Sequence, residues 1–150
     1  MTDWPDHLPV RSVRVARHTN QFEAIITFYR DIIGLPEIDR FGGHGGYDGI
    51  MLGLPDQGYH LEFTTHPDGP PAAPPSRDNL LVFYIDDQKA IDAMVARLAE
   101  HGYTPVQPEN NYWAKGGVTF EDPDGWGVVF MSMPERQRIL AEEAAGKSGG

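Results

Sequence analysis

The chain has 150 residues, a net charge of −10 and no cysteine. This length provides for one ordinary domain or for two small modules that bury each other's faces. The lack of cysteine excludes disulfides, thiolate nucleophiles and sulfur-ligated metals. The acidic excess, with no visible basic patch, argues against nucleic acid as a partner. It favours simple solubility, or else a surface that attracts cationic small molecules.

The beginning of the chain carries no visible targeting signal. Residues 1–9 are predicted to form an N-terminal arm, and Met1 to Asp6 lack the basic and apolar regions of a signal peptide. Apolar runs elsewhere are far shorter than the roughly 18 residues of a membrane span. We therefore expect a soluble, cytoplasmic protein without a membrane partner.

Residues 10–66 predict a first β-α-β-β-β module. Val10 to Arg17 alternates as a half-buried strand does, with Val13 and Val15 on one face. Apolar residues then recur at helical spacing as far as Gly34, a typical helix stop. Three short strands are predicted near 36–40, 48–54 and 59–65. The Gly42–Gly46 segment precedes a strand rather than a helix, so it predicts a mobile hairpin loop or lid and no phosphate cradle.

Residues 79–133 repeat the same order of elements. A strand from Asn79 to Asp86 and a helix from about Gln88 to His101 are followed by strands near 104–107, 117–121 and 126–132. A Pro-rich linker at 67–78 joins the modules and permits pairing within one chain or across a homodimer. Residues 134–150 predict a surface helix from Pro134 to Ala145 and a frayed tail.

Two stretches of the chain are copies of one another. Gly49 to Phe63 and Gly117 to Phe130 both run strand, Pro-Asp turn, aromatic residue, strand. Aligned on the turn, Glu62 falls opposite Val129. Such a repeat indicates one structural unit used twice, with a shared cavity. A carboxylate is present in only one copy.

The paired modules, the helix end Phe28-Tyr29-Arg30-Asp31-Ile32-Ile33-Gly34-Leu35 and the turn Asp122-Pro123-Asp124-Gly125 resemble the vicinal oxygen chelate superfamily. This superfamily includes glyoxalase I, bleomycin resistance proteins, fosfomycin-modifying enzymes and extradiol dioxygenases. The resemblance covers residues 10–133. It implies an α+β class in which two β-α-β-β-β modules form a half-barrel around a cavity, the glyoxalase/bleomycin resistance fold. One such scaffold hosts many activities.

The resemblance also places the metal ligands of the metal-dependent members. They fall on the first and last strands of each module, which here are the positions of Arg14, Glu62, Leu80 and Val129. Only Glu62 can bind a divalent ion, and one carboxylate does not hold a catalytic metal. The family's geometry implies that a bidentate Arg14–Glu62 ion pair occupies the place of the metal, either to satisfy two buried charges or to contact a ligand.

Other side chains are candidates for a ligand site. His60 shares a strand face with Glu62, so the two are the candidates for an irregular metal site, to which His18 or His44 could add. Tyr112 and Trp113 follow the amide pair Asn110–Asn111 and predict a stacking wall or, equally, a hydrophobic plug. The predicted cavity lining is mostly apolar and comprises Leu80, Val82, Tyr84, Val129, Met131, Tyr112 and Trp113.

The sequence therefore favours a homodimeric protein that binds a small organic molecule in a metal-free cavity. The predicted ligand-binding residues are Arg14, Glu62, His60, Tyr84, Tyr112 and Trp113. The alternative is a vicinal oxygen chelate enzyme of the lyase, isomerase or dioxygenase type, with Glu62 as metal ligand or Glu62 and His60 as an acid/base pair. No cofactor is expected in the first case, and a divalent metal ion in the second.

Overall fold

The computed structural model describes residues 8–54, 56–69, 73 and 75–148. Most of the predicted N-terminal arm, part of the Pro-rich linker and the last two residues of the tail lie outside the described residues. The chain divides into two compact units, Met1–Ala72 and Ala73–Gly150. These are called the N-terminal and C-terminal units below.

The N-terminal unit has the predicted β-α-β-β-β order, whereas the C-terminal unit has one strand fewer and an added C-terminal helix. The N-terminal unit contains β1 (Val13–His18), α1 (Phe22–Ile26) continued by a π-helical segment (Thr27–Ile32), β2 (Glu37–His44), β3 (Tyr47–Gly53) and β4 (Tyr59–Thr65). The C-terminal unit contains β5 (Leu80–Ile85), α2 (Gln88–Glu100), a 3-10 helix (Asn111–Ala114), β6 (Gly117–Glu121), β7 (Gly127–Ser132) and α3 (Met133–Ser148). The predicted α+β class is confirmed.

The N-terminal sheet has the strand order β1-β4-β3-β2, with β1 parallel to β4 and the other pairs antiparallel. Ile50 lies opposite Phe63, and Leu52 lies opposite Leu61, on the face that packs on the helix. Because side chains alternate along a strand, His60 and Glu62 lie on the other face. The predicted strand forms at β1, but Val13 and Val15 are about half exposed instead of buried.

The helix of the N-terminal unit widens in its second half. The amide of Ile33 donates to the carbonyl of Phe28 at 3.0 Å, one residue further back than an α-helix allows. Phe28 and Tyr29, both fully buried, lie in this wide turn. Gly34 then takes a φ of +92°, the left-handed conformation that ends a helix.

The glycine-rich segment forms the predicted hairpin, with a tight turn at Gly45 and Gly46. Strands β2 and β3 run up to Gly45 and Gly46, which both have positive φ, as the two central residues of this hairpin require. A side chain at Gly46 would collide with the His66 ring, 2.4 Å from Nε2. His66 Nε2 lies 3.2 Å from the carbonyl of Gly45, and its Nδ1 accepts from the amide of Asp68.

The C-terminal sheet has the order β5-β7-β6, with β5 parallel to β7 and β6 antiparallel to it. The predicted strand at 104–107 does not form, and only an isolated bridge joins Val106 to Thr119. Pro105 and Pro108 flank Val106. Since proline has no amide hydrogen to give to a ladder, the segment cannot extend the sheet.

The strand registers reproduce the internal repeat. Arg14 pairs with His60 as Leu80 pairs with Gly127, and Ala16 pairs with Glu62 as Val82 pairs with Val129. Glu62 and Val129 therefore hold equivalent positions in the two sheets, as the sequence alignment predicts. Among the helices of the described residues, none combines the length and apolarity needed to cross a membrane.

The C-terminal helix α3 lies against the sheet of its own unit. Ile139 is 5% exposed and packs with Val129 and Met131, which are fully buried. The guanidinium of Arg136 lies over the ring of Tyr84, 5.3 Å from its centroid. The helix runs to Ser148, beyond the predicted end at Ala145.

Candidate functional site

Arg14, His60 and Glu62 meet on one face of the N-terminal sheet. Arg14 Nη1 lies 3.1 Å from Glu62 Oε2, and Arg14 Nε donates to His60 Nε2 at 2.9 Å. The Glu62 residue is 8% exposed, whereas the Arg14 side chain is 45% exposed. The predicted ion pair is therefore present, but it is not bidentate. The guanidinium contacts Glu62 through Nη1 and His60 through Nε. We call these residues the Arg14 cluster.

The hydrogen bond from Arg14 occupies one nitrogen of the His60 ring. Arginine is always protonated and can only donate, so His60 Nε2 is the acceptor. Both groups that could act as ligands or bases here, the imidazole and the carboxylate, already contact one permanent cation.

The residues of this cluster do not fit a divalent metal. The guanidinium already contacts the ligand atoms of His60 and Glu62, and the equivalent positions in the C-terminal sheet are Gly127 and Val129, which have none. No group of three or more histidine, aspartate and glutamate side chains within the described residues is placed to hold a metal ion. Open catalytic sites need about three protein ligands.

The other histidines considered for a metal lie apart from the cluster. His18 is at the end of β1, where its Nε2 is 3.5 Å from the side-chain nitrogen of Asn20. His44 packs edge-on against Phe41 at the end of β2. Neither contact involves Glu62.

An open pocket of about 820 Å³ lies on the C-terminal unit. Its apolar lining comes from Leu80 and Val82 of β5 and from Trp113 of the 3-10 helix. Its polar lining consists of Asp78, Glu109, Asn110 and Asn111. We call this the Trp113 pocket. It combines an aromatic ring, a small apolar wall and two carboxylates.

Local interactions of the 3-10 helix position Trp113. The side chain of Asn110 caps the helix by accepting from the amide of Tyr112 at 3.0 Å. Gly117 lets the helix approach β6 closely, since a Cβ there would lie 2.6 Å from the carbonyl oxygen of Trp113. The rings of Tyr112 and Trp113 pack edge to face with centroids 5.1 Å apart.

Only part of the predicted apolar lining reaches the Trp113 pocket. Val129 and Met131 are fully buried beneath Ile139, Tyr112 and Trp113, so they belong to the core. Tyr84 is 48% exposed and lies under the Arg136 guanidinium. The predicted ligand-contacting roles of Tyr84 and Tyr112 remain predictions.

Two acidic residues of the pocket were missed by the sequence reasoning. Asp78 follows a turn in which its amide donates to Ser76 Oγ, and Glu109 lies 3.7 Å from Arg77 Nη1. Both stand just outside the regular elements, where hydrophobic periodicity carries no signal. Glu109 directly precedes the predicted amide pair, and this position was the one available clue to its role. Asp78 had no comparable clue in the sequence.

The sequence matches two family models along most of its length. A YycE-like N-terminal domain matches residues 13–64, and a YycE-like C-terminal domain matches residues 78–132. The chain is also 48% identical over 120 residues to the uncharacterized protein YycE of Bacillus subtilis (strain 168), covering 80% of this chain and 86% of YycE. The chain belongs to the YycE-like family.

Solved structures agree with this assignment. The crystal structure of Bacillus subtilis YycE matches with a TM-score of 0.77 and 48% identity, over 81% of the YycE-like chain and 89% of that one. Its description calls YycE a protein of unknown function and a candidate glyoxalase/fosfomycin resistance protein.

More distant structures share the fold of the YycE-like chain. Leishmania major glyoxalase I has a TM-score of 0.66 at 17% identity, over 93% of this chain and 97% of that one. TnmS3, an antibiotic binding protein from Streptomyces sp. CB03234, has a TM-score of 0.57 at 23% identity, over 79% of this chain and 92% of that one. The predicted resemblance to the vicinal oxygen chelate superfamily and its glyoxalase fold is confirmed.

Proposed function

We propose that this protein binds a small organic molecule in the Trp113 pocket without the help of a divalent metal. The observation that carries the proposal is the pocket itself. Its volume of about 820 Å³ falls within the range of about 300–1,000 Å³ that is usual for small-molecule sites. The pocket joins a partly buried aromatic ring and a small apolar wall to four polar residues that are available to orient a ligand.

The polar lining supports a preference for flat molecules that are neutral or cationic. Asp78 and Glu109 contribute carboxylates, Asn110 and Asn111 contribute amides, and the described lining includes no basic side chain. Tryptophan is the aromatic side chain that binds cations best. A cation over the Trp113 ring would gain a cation–π interaction energy of about 0.5–2 kcal/mol, more where water is excluded. An anionic ligand would meet two like charges, within a chain whose net charge is −10.

The Arg14 cluster supports the metal-free part of the proposal. In the family that this chain resembles, a metal would be held from positions that here carry Arg14, Glu62, Leu80 and Val129. A guanidinium that contacts both Glu62 and His60 supplies positive charge at this place without any ion. TnmS3, an antibiotic binding protein of the same fold, provides a precedent for binding as the function.

A thermal-shift screen tests the binding function. The panel contains cationic aromatics, glycopeptide antibiotics, α-keto acids and phosphate esters, and the protein is compared with Trp113→Ala, Trp113→Phe and Tyr47→Ala. We expect cationic or neutral aromatics to raise the melting temperature of the wild type and of Tyr47→Ala, a control in the other unit. Trp113→Ala should lose most of this shift, and Trp113→Phe should retain part of it.

The same screen also tests the alternative that Trp113 is a hydrophobic plug. In that case Trp113→Ala lowers the melting temperature and alters no ligand shift. Stabilisation by α-keto acids or phosphate esters alone, dependent on Arg14, would contradict the proposal. It would favour an enzyme in which Arg14 binds the anion.

An enzyme remains the second candidate because the Arg14 cluster holds an acid/base pair. Glu62 and His60 lie next to one another on the sheet face, and Glu62 is buried. An enolisable substrate would need one of them released from Arg14. A homodimeric state and a cytoplasmic location likewise remain proposals.

A further inference from the structure

Thr119 carries a buried hydroxyl whose position the fold does not explain. The residue is 5% exposed, and its Oγ1 has no hydrogen-bond partner among the residues that the structure describes. A buried hydroxyl left without a partner destabilises the folded state by about 1–3 kcal/mol. Each such group therefore calls for an explanation.

The repeat shows that the sheet itself does not need a hydroxyl here. Thr119 lies opposite Val129 in β6 and β7, as Met51 lies opposite Glu62 in β3 and β4. The equivalent residue of the N-terminal unit is therefore apolar. Valine has nearly the same shape as threonine and suits a strand equally well, so the hydroxyl has no evident structural purpose.

Thr119 lines a small cavity that adjoins the Trp113 pocket. This cavity of about 10 Å³ is also lined by Arg77, Glu109 and Gly127, and we call it the Thr119 cavity. Glu109 lines the Trp113 pocket as well. Leu80, a second residue of that pocket, covers Gly127, where a Cβ would lie 2.5 Å from Leu80 Cδ2. Glu109 and Leu80 thus lie at the boundary of the two spaces.

Two charged side chains at this boundary, Arg77 and Glu109, are exposed and only weakly paired. Arg77 Nη1 and Glu109 Oε2 are 3.7 Å apart, and their side chains are 56% and 55% exposed. Exposed ion pairs of this kind contribute at most about 1 kcal/mol. Arg77 also donates to the carbonyl of Gln107 at 2.7 Å, a contact that it can keep when Glu109 turns away.

We propose that the Thr119 hydroxyl determines specificity in the Trp113 pocket by accepting a hydrogen bond from a small donor group of the ligand. The inference rests on the proposed function. A volume near 10 Å³ admits about one water-sized group and no ring. Thr119 Oγ1 and the Glu109 carboxylate both accept hydrogen bonds, so the group is a hydroxyl or a primary ammonium. The preferred ligand has a flat apolar body on Trp113 and a short arm that ends in this donor.

Three probes of matched shape test the inference by calorimetric titration. They are phenethylamine, phenethyl alcohol and propylbenzene, which end in an ammonium, a hydroxyl and a methyl group. We expect the wild type to bind the first two more tightly than propylbenzene. Thr119→Val should weaken those two roughly threefold to tenfold, the effect of one hydrogen bond, and leave propylbenzene unchanged. The ammonium and hydroxyl probes show which donor is preferred.

Two further variants separate specificity from structure. Thr119→Ser keeps the hydroxyl and should keep the preference for the donor probes, even if it is less stable. Thr104→Val, at an exposed position of the same unit, should change nothing. The folded state of Thr119→Val should be at least as stable as that of the wild type in a urea titration, because valine buries no unpaired hydroxyl.

The inference fails if Thr119→Val is clearly less stable than the wild type and keeps the preference for the donor probes. That result would mean that the hydroxyl serves the structure or a buried water. A Trp113-dependent binding of all three probes with no preference would overturn this inference alone. If no probe binds the wild type, the inference falls together with the proposed function.

Discussion

Arg14 makes two contacts that a divalent cation makes in a metal site. Its guanidinium touches a carboxylate oxygen and an imidazole nitrogen on the same sheet face. A guanidinium differs from a metal in one respect that matters for chemistry, because it cannot polarise a bound carbonyl as a Lewis acid or lower the pKa of a bound water. This contrast favours binding over metal-assisted catalysis.

The first prediction concerns the coupling within the Arg14 cluster. Arg14→Ala leaves the Glu62 carboxylate without its cation and should lower the free energy of unfolding by about 1–3 kcal/mol. This is less than for a fully buried pair, because Arg14 is 45% exposed and water can partly replace it. The double variant Arg14→Ala with Glu62→Gln should cost less than the sum of the single changes.

Urea titrations of the wild type, both single variants and the double variant measure this coupling. Arg11→Ala, at an exposed position of the same unit, is the control and should be near neutral. Strict additivity within about 0.5 kcal/mol would mean that the two side chains do not interact.

At the scale of elements, the turn between β6 and β7 is held by one carboxylate. Asp122 is buried, and its Oδ1 accepts from the amides of Asp124 and Trp126 at 2.8 and 3.0 Å. Gly125 takes a φ of +86°, which completes the tight turn. The hairpin carries Thr119 and Val129, so its geometry bears on the cavity as well as on the core.

The second prediction follows from these two hydrogen bonds. Asp122→Ala should lower the free energy of unfolding by about 2–4 kcal/mol, since it leaves two amides without their acceptor. Asp122→Asn keeps an acceptor oxygen and should cost less. Thermal melts of both variants, with Asp68→Ala as an exposed turn control, measure the difference. Equal losses for Ala and Asn would mean that the charge, not the acceptor geometry, stabilises the turn.

Regular elements were predictable from the sequence because their apolar spacing is unambiguous. The strands β4 and β7, the helix α2 and the Arg14–Glu62 contact all follow from periodicity, from the repeat or from the family resemblance. The π-helical segment was not predictable, because the same apolar residues satisfy an α-helical spacing equally well. The strand predicted at 104–107 failed for a reason visible in the sequence, the two prolines beside Val106.

The site was less predictable than the fold. Asp78 and Glu109 reach the Trp113 pocket through loops, whose paths depend on turns rather than on periodicity. Val129 and Met131 were predicted to line the cavity. The structure buries them because the C-terminal helix places Ile139 against them. A helix with few apolar residues gave no sign of this packing.

At the scale of the whole molecule, an apolar patch marks one edge of the N-terminal sheet. Val13 lies beside Tyr59 in the register of β1 and β4, and Val15 follows on the same face. These side chains are 49%, 37% and 52% exposed. β1 is the outermost strand in the order of that sheet, and exposed apolar edges favour association with another chain.

The third prediction is that this patch contributes to a homodimer. Val15→Lys should lower the dimer fraction in light scattering at several concentrations while the far-ultraviolet circular dichroism is unchanged. Leu140→Lys, at an exposed position of α3, is the control and should leave the dimer intact. A wild type that stays monomeric at every concentration would contradict the homodimer and leave the fold unaffected.

The fourth prediction tests most directly the central claim that the guanidinium of Arg14 occupies the place that the family resemblance predicts for a metal. Elemental analysis of protein purified without chelator should find zinc, nickel, iron and manganese far below one ion per chain, with no difference in Glu62→Gln. The melting temperature should not respond to a chelator. The account would be contradicted by about one ion per chain in the wild type that is lost in Glu62→Gln, since Glu62 would then be a metal ligand and not the partner of Arg14.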